Sequence, residues 1–313
     1  MRLEINKTYN RNALDGLRML PGTSVDCIVT SPPYWRMRDY GTAPLWWGGN
    51  ETCNHQLDRN GYCRHCGGWL GELGQEPTWE EFIGHLVSIF RECHRVLKKT
   101  GTLWVNLGDS YSKPGMGGKK CKIPSKSLCN IPGKFADAMI ADGWILRNEI
   151  IWYKPNCAPS SATDRFTVDY EKIFFFVKHS RYAFNRQYEP YASATFERYR
   201  YPMTVNGKCG EFQRIAGTPK GMMKINPDGR NMRCVWRVSP GHNKEKHYAM
   251  YPEKLVEVPV SAGSPEGGIV LDPFMGAGTT AVVAKRLGRD FIGFDANAEY
   301  VEVANRRCSE TQC

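Results

Sequence analysis

Three groups of residues in this 313-residue chain have types and spacings suited to chemistry. Near the start, Thr30-Ser31-Pro32-Pro33-Tyr34-Trp35 follows the apolar run Val25 to Val29. That run reads as a buried parallel strand, and the two prolines make a rigid turn after it that pushes an aromatic ring into a cleft. Near the end, Asp272-Pro273-Phe274-Met275-Gly276-Ala277-Gly278-Thr279-Thr280 follows Gly268 to Leu271, a second buried strand, and leads into the helical pattern Ala281 to Leu287. A strand, a glycine-rich turn and a helix N-terminus let a cofactor approach bare backbone amides. The turn lacks the Gly-Lys-Ser/Thr ending of a phosphate-binding P-loop, which argues against an ATPase. The third group, Cys53-x-His55-x7-Cys63-x2-Cys66, offers four ligands at spacings that fit a closed tetrahedral zinc site, with His65 as a competitor for the histidine position. Four protein ligands point to a structural ion, because a catalytic one needs an open position. The other reading is a reduced, metal-free loop.

Positioning these groups requires a regular scaffold, and the pattern supplies one. Ile5 to Leu20 reads as a short strand and a helix from Ala13, stopped by Pro21-Gly22. Thr78 and Glu81 have capping-box spacing, and Phe82, Ile83, Leu86, Val87, Phe90, Val96 and Leu97 recur at helical intervals. Thr102 to Leu107, Trp144 to Tyr153 and Asp290 to Asp295 read as further strands, with a helix over Gly133 to Ala141. Asp295 ends its strand where an acid grips a ribose diol in nucleotide folds, and a helix N-cap is its other role. Asp109, ending another strand, suits either a substrate edge or a turn.

Taken together, the Ser31-Pro32-Pro33-Tyr34 tetrad and the Asp272 to Thr280 turn resemble the amino-methyltransferases of DNA, in the class whose catalytic motif precedes its cofactor motif. The resemblance covers nearly the whole chain. It implies an α/β fold: a doubly wound, mostly parallel Rossmann-like sheet, circularly permuted so that the cofactor strand comes late. It implies S-adenosylmethionine held by Asp272, Pro273, Phe274, Gly276, Gly278, Thr279, Thr280 and Asp295, with Asn12 near the adenine where the family often has Asp. Ser31, Pro32, Pro33 and Tyr34 then receive a base flipped from double-stranded DNA, with Trp35 as a second stacking ring. Ser at the head of the tetrad and Trp after it are commoner in the family for N4 of cytosine, and N6 of adenine is the alternative. A catalytically silent DNA-binding module, and an RNA or small-molecule methyltransferase, are contrasting readings; intact Gly276, Gly278, Asp295 and the tetrad oppose the first.

Charge adds a partner. The formal net charge is +10, and between Lys178 and His247 fourteen Lys and Arg face five Asp and Glu, so nearly the whole excess lies there. Aromatic residues are interleaved; composition alone fits a solvated, loop-rich insertion as well, and the resemblance, which puts a target-recognition region at this place, favours DNA contact. The expected organisation is therefore 1–177 as the catalytic part with a cysteine-rich insertion at 48–75, 178–247 as a basic recognition insertion, and 248–313 as the cofactor part. Lys113 to Lys126, rich in Gly and Lys, reads equally as a loop that closes over a DNA backbone and as a disordered surface excursion. With no long apolar span, no leader and twelve scattered cysteines, the expectation is a reduced, cytoplasmic protein without a membrane. A companion restriction nuclease and the oligomeric state cannot be read from the residues.

Overall fold

The structure is a computed structural model that describes residues 3–113, 123–195, 226–241 and 250–311. Most of the lysine-rich loop, at 114–122, and the stretches 196–225 and 242–249 of the basic segment lie outside them. The chain divides into a large unit, 1–185 with 234–313, and a small one, 186–233. In the small unit, β8 (Tyr188–Glu189) pairs antiparallel with β9 (Arg230–Asn231). Glu189 forms an ion pair there with Arg230 at 2.8 Å and accepts a hydrogen bond from Arg233 at 2.6 Å.

The large unit is built on an eight-stranded sheet. Its strands are β1 (Lys7–Asn10), β2 (Val25–Thr30), β5 (Leu97–Leu107), β6 (Ile145–Tyr153), β7 (Tyr170–Val177), β10 (Val235–Arg237), β11 (Ile269–Asp272) and β12 (Asp290–Asp295), in the spatial order β1-β12-β11-β2-β5-β7-β6-β10. Every pairing is parallel except those of β7, which runs against both neighbours. A central strand covered on both faces reads as an apolar run, as β2 and β7 do over most of their length. Phe174, Phe175 and Phe176 in β7 are all essentially buried.

Alternation along the strands shows how they are covered. Leu103, Val105 and Leu107 join Phe174 and Phe176 in a core with α1 (Ala13–Arg18), α2 (Trp79–Val96) and α3 (Ile131–Ala141). Thr102 and Trp104, one step out of phase, turn to the other face, where Trp104 stacks on Phe175 at 4.0 Å and Thr102 donates to the carbonyl of Gly263. Gly263 ends α4 (Glu253–Gly263), which packs on α5 (Thr279–Arg286), and α5 packs on α6 (Ala298–Glu310). Helices therefore lie on both faces of the sheet.

Local signals explain most boundaries. The capping box at α2 is complete: Thr78 accepts from the Glu81 amide, and Glu81 returns the bond. Asp109 has the turn role, its Oδ1 accepting from the amides of Ser110 and Ile131 at the start of α3. The expected bound fell short at β5, which begins at Leu97, where it pairs with Val25 of β2, and not at Thr102.

Residues 36–75 stand outside the main sheet. β3 (Leu45–Trp47) and β4 (Trp69–Gly71) form a separate antiparallel pair. Trp47, Trp69 and Leu73 are buried in the main core, and His85 of α2 stacks on Trp47 at 4.3 Å while bonding the fully buried Glu76 at 3.0 Å. The insertion is thus fastened to the main core by aromatic packing.

Candidate functional site

A cavity of about 690 Å3 opens over the C-terminal ends of the central strands. β2 and β11 are neighbours there, which brings the tetrad and the glycine turn, more than two hundred residues apart in the chain, to one opening. In doubly wound sheets ligands bind at this place, outside the carboxyl ends of adjacent strands where the winding reverses.

One wall follows β11. Pro273, Phe274, Met275, Gly276, Ala277 and Thr279 line the cavity, and so does Asp295 at the end of β12. Gly276 has φ +53 and open space where a side chain would stand. Asp272, Gly278 and Thr280, expected to face the cofactor, stand behind the lining. Asp272 is fully buried and accepts hydrogen bonds from Thr30, Thr280, Tyr251 and the amide of Phe274. It acts as a hub that ties β2, β11, α5 and the start of α4 together. Burial pushes its carboxyl above the ordinary range, against these four donors. Gly278 is needed for packing: at φ +86, an added Cβ would lie 2.8 Å from Ala304 of α6. The space denied to a side chain there belongs to the neighbouring helix, not to a ligand.

Asp295 accepts from the amides of Gly276 and Asn297, both at 2.8 Å, and burial raises its carboxyl to about 6. The N-cap of α6 is Asn297, so Asp295 braces the glycine turn and faces the cavity. Asn12 also lines the cavity, but its amide is engaged with Asp15, as the N-cap of α1.

The opposite wall is made of side chains. Ser31 Oγ donates to the Tyr34 hydroxyl at 3.3 Å, which donates to Glu171 at 2.7 Å. Asn106, at the end of β5, donates to the same Glu171 oxygen at 3.0 Å, and Lys154 pairs with the other oxygen. Ser31, Pro32, Pro33, Tyr34, Asn106, Trp152, Lys154 and Glu171 all line the cavity. Burial and the neighbouring Glu171 push the Tyr34 phenol well above its ordinary range. Gly108 makes room for the Tyr34 ring, which lies 2.5 Å from where a Cβ would be. Trp35 is not a second stacking surface: it is 1% exposed and its indole donates to the carbonyl of Glu76.

Asn106, Lys154 and Glu171 escaped the sequence reading. A lysine directly after an aromatic strand end, and an acid heading the run Ile173 to Val177, were the available signals. The chain order gives no hint that they converge on Tyr34.

In the insertion, one ligand atom from each of Cys53, His55, Cys63 and Cys66 lies within 4.8 Å of the others. Cys53 Sγ and Cys63 Sγ are 3.8 Å apart, and Cys66 Sγ is 3.4 Å from His55 Nδ1. Tetrahedral angles with metal–sulfur bonds of about 2.3 Å put two sulfurs about 3.8 Å apart, so the separation fits a four-coordinate ion. Burial works against the Cys63 thiolate, but amide donors from Cys66, His65 and Gln56, with His55, lower its thiol to about 5. His55 also stacks on Trp46 at 3.7 Å, while His65 is exposed and outside the cluster.

A mostly parallel sheet with helices on both faces, and a glycine turn and a rigid tetrad at one opening, define a doubly wound α/β fold. Residues 25–306 match the family model for DNA methylases. The chain is 34% identical to the Type II methyltransferase M.SmaI of Serratia marcescens, over 95% of this chain and 88% of that protein. It is 33% identical to M.Cfr9I of Citrobacter freundii, over 97% and 89%. Its fold is similar to that of the PvuII DNA methyltransferase (cytosine-N4-specific), with a TM-score of 0.61 at 18% identity, covering 96% of this chain and 85% of that one. It is similar also to TTHA0409 of Thermus thermophilus, complexed with S-adenosyl-L-methionine, with a TM-score of 0.56 at 22% identity, covering 97% and 95%. The chain belongs to the DNA methylase family. No helix among the described residues is long and apolar enough to cross a membrane.

Proposed function

We propose that the protein is a site-specific methyltransferase that moves a methyl group from S-adenosylmethionine to the exocyclic N4 of a cytosine flipped out of double-stranded DNA. The observation that carries this reading is the shared cavity, lined by Ser31, Pro32, Pro33 and Tyr34 on one side and by Gly276, Ala277 and Asp295 on the other. The late position of the cofactor strand β11 beside the early tetrad strand β2 supports the permuted order of the resembled class.

The cofactor wall fits its ligand by chemistry. Gly276 leaves its backbone bare, and Asp295 offers a carboxylate to the ribose hydroxyls. When bound there, S-adenosylmethionine supplies an activated methyl group on a sulfonium. An exocyclic amino group is a poor nucleophile because its lone pair is delocalised into the ring. Ser31 gives its own proton toward Tyr34, which leaves the Oγ lone pairs to accept one amino hydrogen. The carbonyl of Pro32 accepts the other, held in place by the two proline rings. Both bonds draw the nitrogen toward tetrahedral geometry, and no covalent enzyme intermediate is needed. The Tyr34 ring covers the extruded base and recovers part of the few kcal/mol lost in unstacking.

The basic segment 178–247 is assigned to DNA contact, from its charge and its place in the resembled order. Its affinity for DNA then falls steeply with ionic strength, and a flat salt dependence would remove it from the interface. Cys53, His55, Cys63 and Cys66 are assigned to a structural zinc that fixes the insertion. Mass analysis of nucleosides from DNA incubated with protein and S-adenosylmethionine tests the main reading. N4-methylcytosine is expected; N6-methyladenine would move the target to the alternative base, and an unmodified digest would overturn the activity.

A further inference from the structure

Lys154 and Glu171 form an ion pair inside the cavity, and neither the tetrad nor the glycine turn accounts for it. Their side chains are 19% and 18% exposed, so this is a built pair and not a solvated surface contact. Most of the acceptor capacity of Glu171 is spent inside the wall: one oxygen takes Lys154, and the other takes Tyr34 and Asn106. Lys154 differs. Of its three donors one is spent on Glu171, and its Nζ lies 4.3 Å from the Trp152 ring centroid, where the aromatic face holds the charge without consuming a proton.

We infer that Lys154, aimed by Glu171, is a specificity-determining donor to the 2-carbonyl oxygen of the target base. The inference rests on the cytosine reading given above. A continuous hydrogen-bonded path runs from Ser31 through Tyr34 and Glu171 to Lys154, which puts an acceptor for an amino hydrogen and a cationic donor on one wall. The Watson–Crick edge of cytosine has the matching order: amino group, ring nitrogen, carbonyl oxygen. Adenine presents an amino group and a ring nitrogen, then a C–H. A part-buried ammonium facing that C–H would leave its donor unpaired, and a site built to pair a polar group rejects the ligand that lacks it. Glu171 is a positioning residue in this scheme, because every contact it makes is to another side chain of the wall.

The test is a two-by-two cycle of enzyme and base. Parent and Lys154→Met enzymes are assayed for kcat/KM and single-turnover rate on duplexes carrying the target cytosine or a 2-aminopyridine C-nucleoside. That analogue keeps the ring nitrogen and amino group but lacks the carbonyl. The parent is expected to lose roughly 10- to 100-fold on the analogue, as for one charge-assisted hydrogen bond. Lys154→Met should lose a similar factor on cytosine and nothing further on the analogue. Equal losses for the variant on both bases, meaning no coupling, would overturn the assignment while leaving cytosine methylation intact. A parent that methylates adenine instead would fail the underlying reading, and the nucleoside analysis distinguishes the two. Should Lys154→Met not fold, Glu171→Gln keeps the shape of the wall, and a partial loss of the parent's preference for cytosine over the analogue is expected from a less firmly held lysine; the full preference retained by that variant would overturn the scheme.

Discussion

Along the β11 wall of the cavity the chain presents backbone, mostly apolar side chains and one acid, while the polar groups that hold it, Asp272, Thr30 and Thr280, are buried out of a ligand's reach. Across from it, Ser31, Tyr34, Asn106, Glu171 and Lys154 hold one another with the same side chains that line the space. On the first side, support and contact are separate jobs except at Asp295, which braces the glycine turn and also faces the space; on the second they are the same job throughout. A backbone wall suits a ligand that is the same at every turnover. A side-chain wall suits one that must be told from close competitors, since polar side chains discriminate through the bonds they leave unmade.

The comparison can be broken most directly at Ser31. Ser31→Ala is expected to lower turnover on the order of 100-fold, the scale seen when one preorganised hydrogen-bonding group is removed from a reacting centre. Calorimetry should find its affinity for S-adenosylmethionine unchanged, because the two walls are separate. A comparable loss in cofactor affinity would mean that they are one unit.

The backbone wall is sharpened by two glycines. Gly278→Val combines a left-handed φ of +86 with the 2.8 Å approach to Ala304, and should destabilise the fold by about 3 kcal/mol in denaturant titration. Gly276→Ala meets only the left-handed strain at φ +53 and should cost about 1–2 kcal/mol. Equal losses for the two variants would deny that Gly278 is a packing position.

Asp295 gives a pH signature. Its folded value of about 6 lies above the ordinary 3.8, so between those values the free folded protein keeps a proton that the unfolded chain has lost. That contribution to stability is complete at low pH and disappears as pH rises through about 6. Cofactor binding runs the other way, since the ribose hydroxyls donate to the ionised carboxylate. Affinity should climb up to about tenfold per pH unit below 6 and level off above it. Asp295→Asn should flatten the profile, and a flat parent profile would remove Asp295 from the ribose site.

The smallest effect is expected in the insertion. Protein prepared without chelator should carry about one zinc per chain, as one closed four-ligand site implies, and Cys66→Ser should lose it. The variant should gain protease cleavage near residues 48–75 but stay folded, because Trp47, Trp69 and Leu73 remain in the main core. Its cofactor affinity should match the parent's. Metal-free parent protein with an equally resistant loop would leave the thiols without a structural task.

Sequence alone determined the local parts whose cause is local. A proline pair after an apolar run fixes a rigid turn, a Thr78–Glu81 spacing starts a helix, a glycine turn frees backbone, and four ligands within fourteen residues converge because the loop is short. Tertiary structure decided what depends on which strands are neighbours. Asp272 reads as a ligand in the chain and becomes a buried hub only once β2 and α5 lie beside it. Trp35 reads as a stacking ring and is taken into the core by Glu76, forty-one residues on. Asn106, Lys154 and Glu171 carry no motif at all; the antiparallel β7, inserted between β5 and β6, brings their strand ends together. Side-chain chemistry is written residue by residue, but a site assembled from three strands exists only when long-range pairing sets their order.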